Sequence, residues 1–212
     1  MNTIINIKKV LLITAIPFFI AASCNKNDTR PCTNGGYAFA VTSEWSPQRE
    51  VYNIGDTIFI NSAFSKNLID LIGNFNVDYS NAKSIGGNLF VHEMDSVQHV
   101  VLDAVQKFNF IQQVGTVSNN SQQANRIKDI FYFESSTSYI FKMGIIPKNK
   151  GLYVIFISNL NSQGIIGKNC TNADFANTLS NTNKNLNLFQ YAMNRPPASQ
   201  FEIDRIYCFR VQ

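Results

Sequence analysis

Three features of the sequence predict a mostly β chain, folded as a single antiparallel β-sandwich with one short C-terminal helix. Tyr37-Ala38-Phe39-Ala40-Val41-Thr42 alternates so that Tyr37, Phe39 and Val41 share one face at the two-residue period of a strand. Between Ile127 and Ser158 three β-rich runs follow one another across short turns, the spacing of a meander or sandwich edge. The chain then closes on Ile206–Val211, which alternates again.

Ordered structure is expected from residue 37 onward. The preceding Asn25–Gly36 (NKNDTRPCTNGG) is polar, and its Pro31 and paired glycines read as a tether. Trp45 and Pro47 close the first strand. Ile54-Gly55-Asp56 makes a turn, and the β-branched run Thr57–Asn61 follows it. One irregular turn is expected over Ser65–Leu71, with weaker strands at Phe75–Tyr79, Asn88–Met94 and Lys107–Ile111. Val97–Val105 fits a short helix or a strand, since periodicity does not separate the two. Asp129–Glu134, Tyr139–Ile146 and Leu152–Ser158 are the three runs, joined by turns at Ser135–Ser138 and Pro147–Gly151. Asn159–Asn172 reads as loop, Ala173–Leu179 as a strand and Asn185–Met193 as the short helix, which Pro196-Pro197 ends. Nothing repeats and the composition does not change along this stretch, so residues 37–212 are expected to form one domain.

The first 24 residues have a different character. Met1–Lys9 carries Lys8 and Lys9 and no acid, Val10–Ala22 is a run of 13 almost wholly apolar residues, and Ser23-Cys24 follows. A basic start, a short apolar stretch and small residues before a cut site are the parts of a secretory signal. A run this short cannot span a bilayer as a mature helix, which needs about 20 residues. Ala21-Ala22-Ser23-Cys24 resembles the lipobox of bacterial lipoproteins, departing from it in having Ala21 where Leu is usual, with Ile20 one place earlier. The resemblance implies a signal peptide over residues 1–23 that is cleaved, acylation of Cys24 (palmitate), and a lipidated tether over residues 24–36. Several acyl chains hold a protein far more firmly than the marginal binding of one. Residue 25 is Asn and not the Asp that retains such proteins at the inner membrane, which favours the outer membrane, on its periplasmic or its cell-surface face.

Two short stretches resemble immunoglobulin-like sandwiches. In Ile146-Pro147 through Gly151-Leu152-Tyr153-Val154 a turn followed by Gly-x-Tyr opens a late strand, and the resemblance implies a Tyr153 hydroxyl bonded back to the preceding corner. Tyr52–Ile58 is similar to the start of an early strand in bacterial surface domains. Together these cover under a tenth of the chain and imply a fold, not an activity. With the lipobox, the whole chain resembles the small uncharacterised bacterial lipoproteins.

Residues with chemical potential are few. Past residue 23 there are 16 basic and 14 acidic residues, a net charge of +2 that offers no footprint for nucleic acid. Cys32, Cys170 and Cys208 remain after Cys24, an odd number in a disulfide-permissive compartment. Cys170–Cys208 is the expected pair and Cys32–Cys208 its rival. No metal site or cofactor is expected: there is no C-x-x-C, and His92 and His99 are the only histidines. His92-Glu93 lacks the second histidine of a metalloprotease helix and reads as a solvated strand end. Gly164–Asn169 has the wrong spacing for a phosphate loop, and no G-x-S-x-G elbow is present.

Phe39, Phe59, Phe110, Phe131, Phe133 and Phe156 lie in apolar alternations and are expected in the core. Trp45 sits in a polar setting; packing against a sheet end is favoured, and a flat face offered to a sugar or protein makes it the one candidate ligand contact. The 27 asparagines, dense over Asn172–Asn187, suit turns and left-handed positions. No catalytic set emerges. The expectation is a membrane-anchored, non-enzymatic binding or interaction module at the cell envelope, with an envelope protein or a glycan as partner. A glycan-binding or glycan-processing lipoprotein and a structural envelope component are the alternatives.

Overall fold

The period-two alternation at Tyr37 does organise the first strand, which runs farther than its apolar residues. The computed structural model describes residues 36–196 and 199–212. The expected signal peptide, Cys24, Cys32 and nearly all of the expected tether lie outside them. The elements are β1 (Tyr37–Ser46), β2 (Val51–Tyr52), β3 (Ile58–Ser65), β4 (Asn67–Ile69), β5 (Asn76–Asp78), β6 (Gly86–Asp95) and β7 (Val100–Asp103). A single 3-10 turn, Val105–Lys107, leads into β8 (Phe108–Val114). Then come β9 (Thr116–Asn119), β10 (Ile127–Phe131), β11 (Phe133–Glu134), β12 (Ser138–Pro147), β13 (Gly151–Ile157), β14 (Leu160–Ser162) and β15 (Ala173–Leu179). Helices α1 (Leu186–Met193) and α2 (Gln200–Arg205) precede the last strand, β16 (Tyr207–Val211).

The chain is a mostly β sandwich whose two sheets share one strand. Residues 37–43 of β1 pair in parallel with β15 in the first sheet, and Glu44–Ser46 pair with β3 in the second. The hydrogen-bonded path therefore runs unbroken through ten strands, from β11 to β2, and β7, β8, β9 and β10 branch from it. In the first sheet β6 is the hub: β13 and β14 flank it on one side, β10 and β7 on the other, and β16 and then β2 continue beyond β13. The second sheet is built on β12, which pairs with β3 along one edge and with β11 and β8 along the other. Gly115, at φ +82°, is the corner where the chain leaves β8 in one sheet for β9 in the other. A Cβ there would stand 2.4 Å from the Phe131 carbonyl oxygen.

Between the sheets lies the main core, aromatic at its centre. Phe39 meets Tyr79 and Phe175 at ring distances of 5.3 and 5.2 Å, and Trp45 stacks on Tyr207. A second cluster lies on the far side of the first sheet, where α1 covers β6, β13 and β16. The strand β13 serves both: Tyr153, Ile155 and Ile157 face the main core, while Leu152 and Val154 face the helix. Burial on both faces explains why this run is continuously apolar and not alternating.

Several details differ from the sequence reading. Two strand pairings, β1–β15 and β16–β2, are parallel, because the ends of the chain close the first sheet by crossover and not by hairpin. The described residues hold two short helices, not one. The second begins at Ser199, whose hydroxyl accepts from the Glu202 N–H, a Ser-x-x-Glu cap visible in the sequence. Val97–Val105 is the end of a turn, then β7 and the first residue of the 3-10 turn. Ser65–Leu71 contains β4, and Asn159–Asn172 contains β14. Phe131 and Phe133 are exposed, because Ile130 and Tyr132 take the inward positions of that alternation.

The expected corner is present. The Tyr153 hydroxyl donates to the carbonyls of Asn149 and Lys150 at 3.1 and 3.3 Å, holding the β12–β13 turn. Burial, and then the charge of Glu93, pushes its pKa up to about 12. Tyr153→Phe keeps the ring and removes these bonds, so chemical denaturation should show a loss of about 1 kcal/mol. An unchanged midpoint and slope would mean that the corner does not depend on them.

Candidate functional site

The residues singled out from the sequence do not converge. Trp45 is fully buried and stacks on Tyr207, so it has no face to present to a sugar or any other ligand. Burial corrects its standing as a ligand contact and removes the aromatic platform on which the glycan alternative leaned. Cys208 is a free thiol at 0 % exposure, on the α1-facing side of β16 among Met94, Val154 and Leu188. Burial raises its pKa well beyond the ordinary thiol range. Both pairings proposed for it, Cys170–Cys208 and Cys32–Cys208, are therefore excluded. Cys170 sits in the exposed loop after β14 and is itself disulfide-bonded. Among the described residues no group of three His, Cys, Asp or Glu side chains could hold a metal ion.

What does assemble is the far end of the β6–β7 hairpin. Asp95 ends β6 and accepts the N–H groups of Val97 and Gln98 at 2.8 and 3.0 Å, which shapes the turn and lowers its own pKa. The next residue, His99, is held by its Nδ1 2.8 Å from the Ala192 carbonyl, so the turn is tied to the end of α1. The strand β7 then returns along β6, with His92 opposite Asp103 and Glu93 opposite Leu102.

Among the described residues nothing pairs with the outer edge of β7. All four of its residues are exposed, and three of them are Val100, Val101 and Leu102. Beside it a shallow cavity of about 570 Å³ opens between the hairpin, the start of β13, the end of β16 and α1. Glu93, Asp95, Lys150 and Arg210 bring both signs of charge to this cavity, and Leu102 and the 64 % exposed Tyr191 bring apolar surface. Its two carboxylates are already engaged, Glu93 by the Lys107 ammonium and Asp95 by the turn. Mixed charge around an apolar strip, with a row of unpaired backbone groups, suits a polypeptide better than a small reacting molecule. This strip is not legible in the sequence, because four consecutive exposed residues carry no periodicity.

His92 also departs from its expected solvated position. It is buried at the outer face of β6, near the rings of Phe90 and Phe156, with Nδ1 3.7 Å from the Asp103 carboxylate. Burial first, and the Arg126 guanidinium second, push its pKa below the ordinary histidine value, while Asp103 opposes them.

Two measurements follow from these placements. Cys208 should stay unreactive toward a thiol reagent in the native protein and react on unfolding; rapid native labelling would contradict its burial. For His92, the folded-state pKa lies below the unfolded value of about 6.5, so unfolding takes up a proton as the pH falls. Its contribution is intact above about pH 6.5 and declines below it until the folded pKa is passed. The melting temperature should therefore drop between about pH 6.5 and 5, a window above the carboxylate range, and His92→Gln should flatten that drop. A drop of the same size in the variant would assign it elsewhere.

No protein-family model and no curated protein sequence matches this chain. Among solved structures it is similar to a cohesin module from the family 33 glycoside hydrolase of Clostridium perfringens, with 9 % identity and a TM-score of 0.32 over 66 % of this chain and 98 % of that one. It is also similar to the second type II cohesin module of the cellulosomal adaptor ScaA scaffoldin of Acetivibrio cellulolyticus, with 7 % identity and a TM-score of 0.33 over 66 % of this chain and 92 % of that one. At TM-scores this low, nothing about partners passes from those modules to this chain.

Proposed function

We propose that this chain is an exported lipoprotein, held in the cell envelope by lipid on Cys24, that serves as a binding module and takes a polypeptide partner along β7. The anchor is supported by the sequence of residues 1–24. No helix among the described residues is long and apolar enough to cross a membrane, so attachment in this reading falls to the acyl chains.

The observation that carries the binding role is the free edge of β7. A strand edge with unpaired N–H and C=O groups is a template for another strand, and natural sheets usually blunt such edges with charge, proline or a covering segment. β7 has Val-Val-Leu and a single Asp103 at its end. The polar edge strand β9 contrasts with it: the Val117 N–H is taken by the side-chain amide oxygen of Gln112, so that strand is partly sealed from within the chain. Addition of a partner strand to β7 would supply main-chain bonds for affinity and leave alternate side chains to select the sequence.

The test is a photo-crosslinking residue at Val101 in the lipidated protein in its native envelope. One dominant adduct is expected, lost when Val100 and Leu102 are replaced by Lys, and absent from a control position at Gln200. Adduct formation equal at both positions, or unaffected by the lysines, would refute a docking role for β7. Because all three substituted side chains are exposed, stability should change by no more than about 0.5 kcal/mol.

A further inference from the structure

At the opposite end of β6 from the β7 turn, the β4–β5 hairpin carries a second run of exposed apolar side chains. Ile69 and Leu71 are each 57 % exposed, Ile72 76 % and Phe75 51 %, all within seven residues. The one charged residue in this run, Asp70, is buried and turned inward. Its carboxylate accepts the N–H of Ala38 at 2.9 Å and of Gly73 at 2.6 Å, and its own N–H donates to the Phe75 carbonyl at 2.9 Å. The tip is thus a braced turn that shows solvent no charge.

Its position is set by the start of β1. The Leu71 N–H donates to the Ala38 carbonyl at 2.7 Å, and Phe75 meets the Tyr37 ring edge-on at 6.3 Å. From the other side the Tyr37 N–H donates to the Asn172 carbonyl at 2.8 Å. That bond places the loop after β14, with exposed Ile166 and Lys168, at the same end. Residue 37 is also where the chain arrives from Cys24, 13 residues earlier. A span of 13 residues reaches at most about 45 Å when fully extended, so lipid on Cys24 would keep this end of the domain within that distance of the bilayer. Leashed contacts of this kind fill at affinities far too weak to be seen free in solution.

We propose that the Ile69–Phe75 tip inserts into the lipid interface beside the anchor, which orients the domain with β7 directed away from the bilayer. The occupant is the membrane itself, and this inference rests on the lipid-anchor reading. Aliphatic and aromatic side chains at a tip without exposed charge bury into the headgroup and acyl boundary to a depth of about 5–10 Å.

The test uses the processed, lipidated chain in vesicles of phosphatidylethanolamine and phosphatidylglycerol with lipids brominated at shallow acyl positions. Trp45, fully buried, supplies the constant background. In Ile72→Trp the added indole should be quenched about two-fold if it reaches that interfacial depth. In Gln98→Trp, at the far end of β6, it should not be quenched. Protein that floats with the vesicles while Ile72→Trp stays unquenched overturns the proposal and leaves the anchor standing. Failure to float refutes the anchor instead. The hairpin is then decided by the same variant carrying Cys24→Ser, held by an N-terminal oligohistidine tag on nickel-chelating lipid. A dimer in solution that Ile72→Asp converts to monomer would make the tip a contact between copies and would also overturn the proposal.

Discussion

Everything in this fold turns on a single strand changing sheets. After Ser43 the backbone of β1 leaves its parallel partner β15, and from Glu44 it pairs with β3 in the other sheet. A strand that switches partners leaves backbone groups without a ladder, and buried ones must be satisfied or cost about 1–3 kcal/mol each. Asn181 meets that need: its side-chain oxygen accepts the Trp45 N–H at 2.9 Å and its amide donates to the Trp45 carbonyl at 2.8 Å, as a neighbouring strand would. Asn185 does the same service four residues later, donating to the carbonyls of Cys208 and Arg49. Both asparagines are buried. The dense asparagine segment is thus partly a set of backbone clasps, which fix where the last strand and α1 lie against the first sheet.

From that clasp follow the two cores. With β1 shared, the inner faces close over the aromatic cluster around Phe39, Tyr79 and Phe175, and Trp45 is sealed beneath Tyr207. The outer face of β6, β13 and β16 is left for α1, and Cys208 is buried there and cannot bond to the exposed Cys170 loop. The helix in turn sets the β7 turn through His99. The exposed edge of β7 is therefore a consequence of packing several strands away, held in place and not loosely hanging.

The two apolar surfaces lie at opposite ends of β6 and differ in chemistry. At β7 the free backbone edge and mixed charge match another polypeptide. At the Ile69–Phe75 tip the backbone is bonded internally and no charge is exposed, which matches lipid. Under the proposed lipid anchor, the two ends would divide the labour: one would fix where the domain stands and the other what it meets.

By itself the sequence determined the elements whose environment is uniform along their length. Alternation placed β1 and β16, continuous apolarity placed β12 and β13, and Gly-x-Tyr placed the corner that Tyr153 holds. It also carries the entire case for export and lipid attachment, since that case is one of residue order and needs no fold. Only the tertiary structure decided which parity of an alternation faces inward, as between Tyr132 and its neighbours Phe131 and Phe133, because parity depends on the partner sheet. It alone decided that Trp45 is covered and that Cys208 is isolated. The exposed edge of β7 and the charge-free tip beside Tyr37 are likewise properties of what other strands fail to cover, and a local pattern holds no record of distant neighbours.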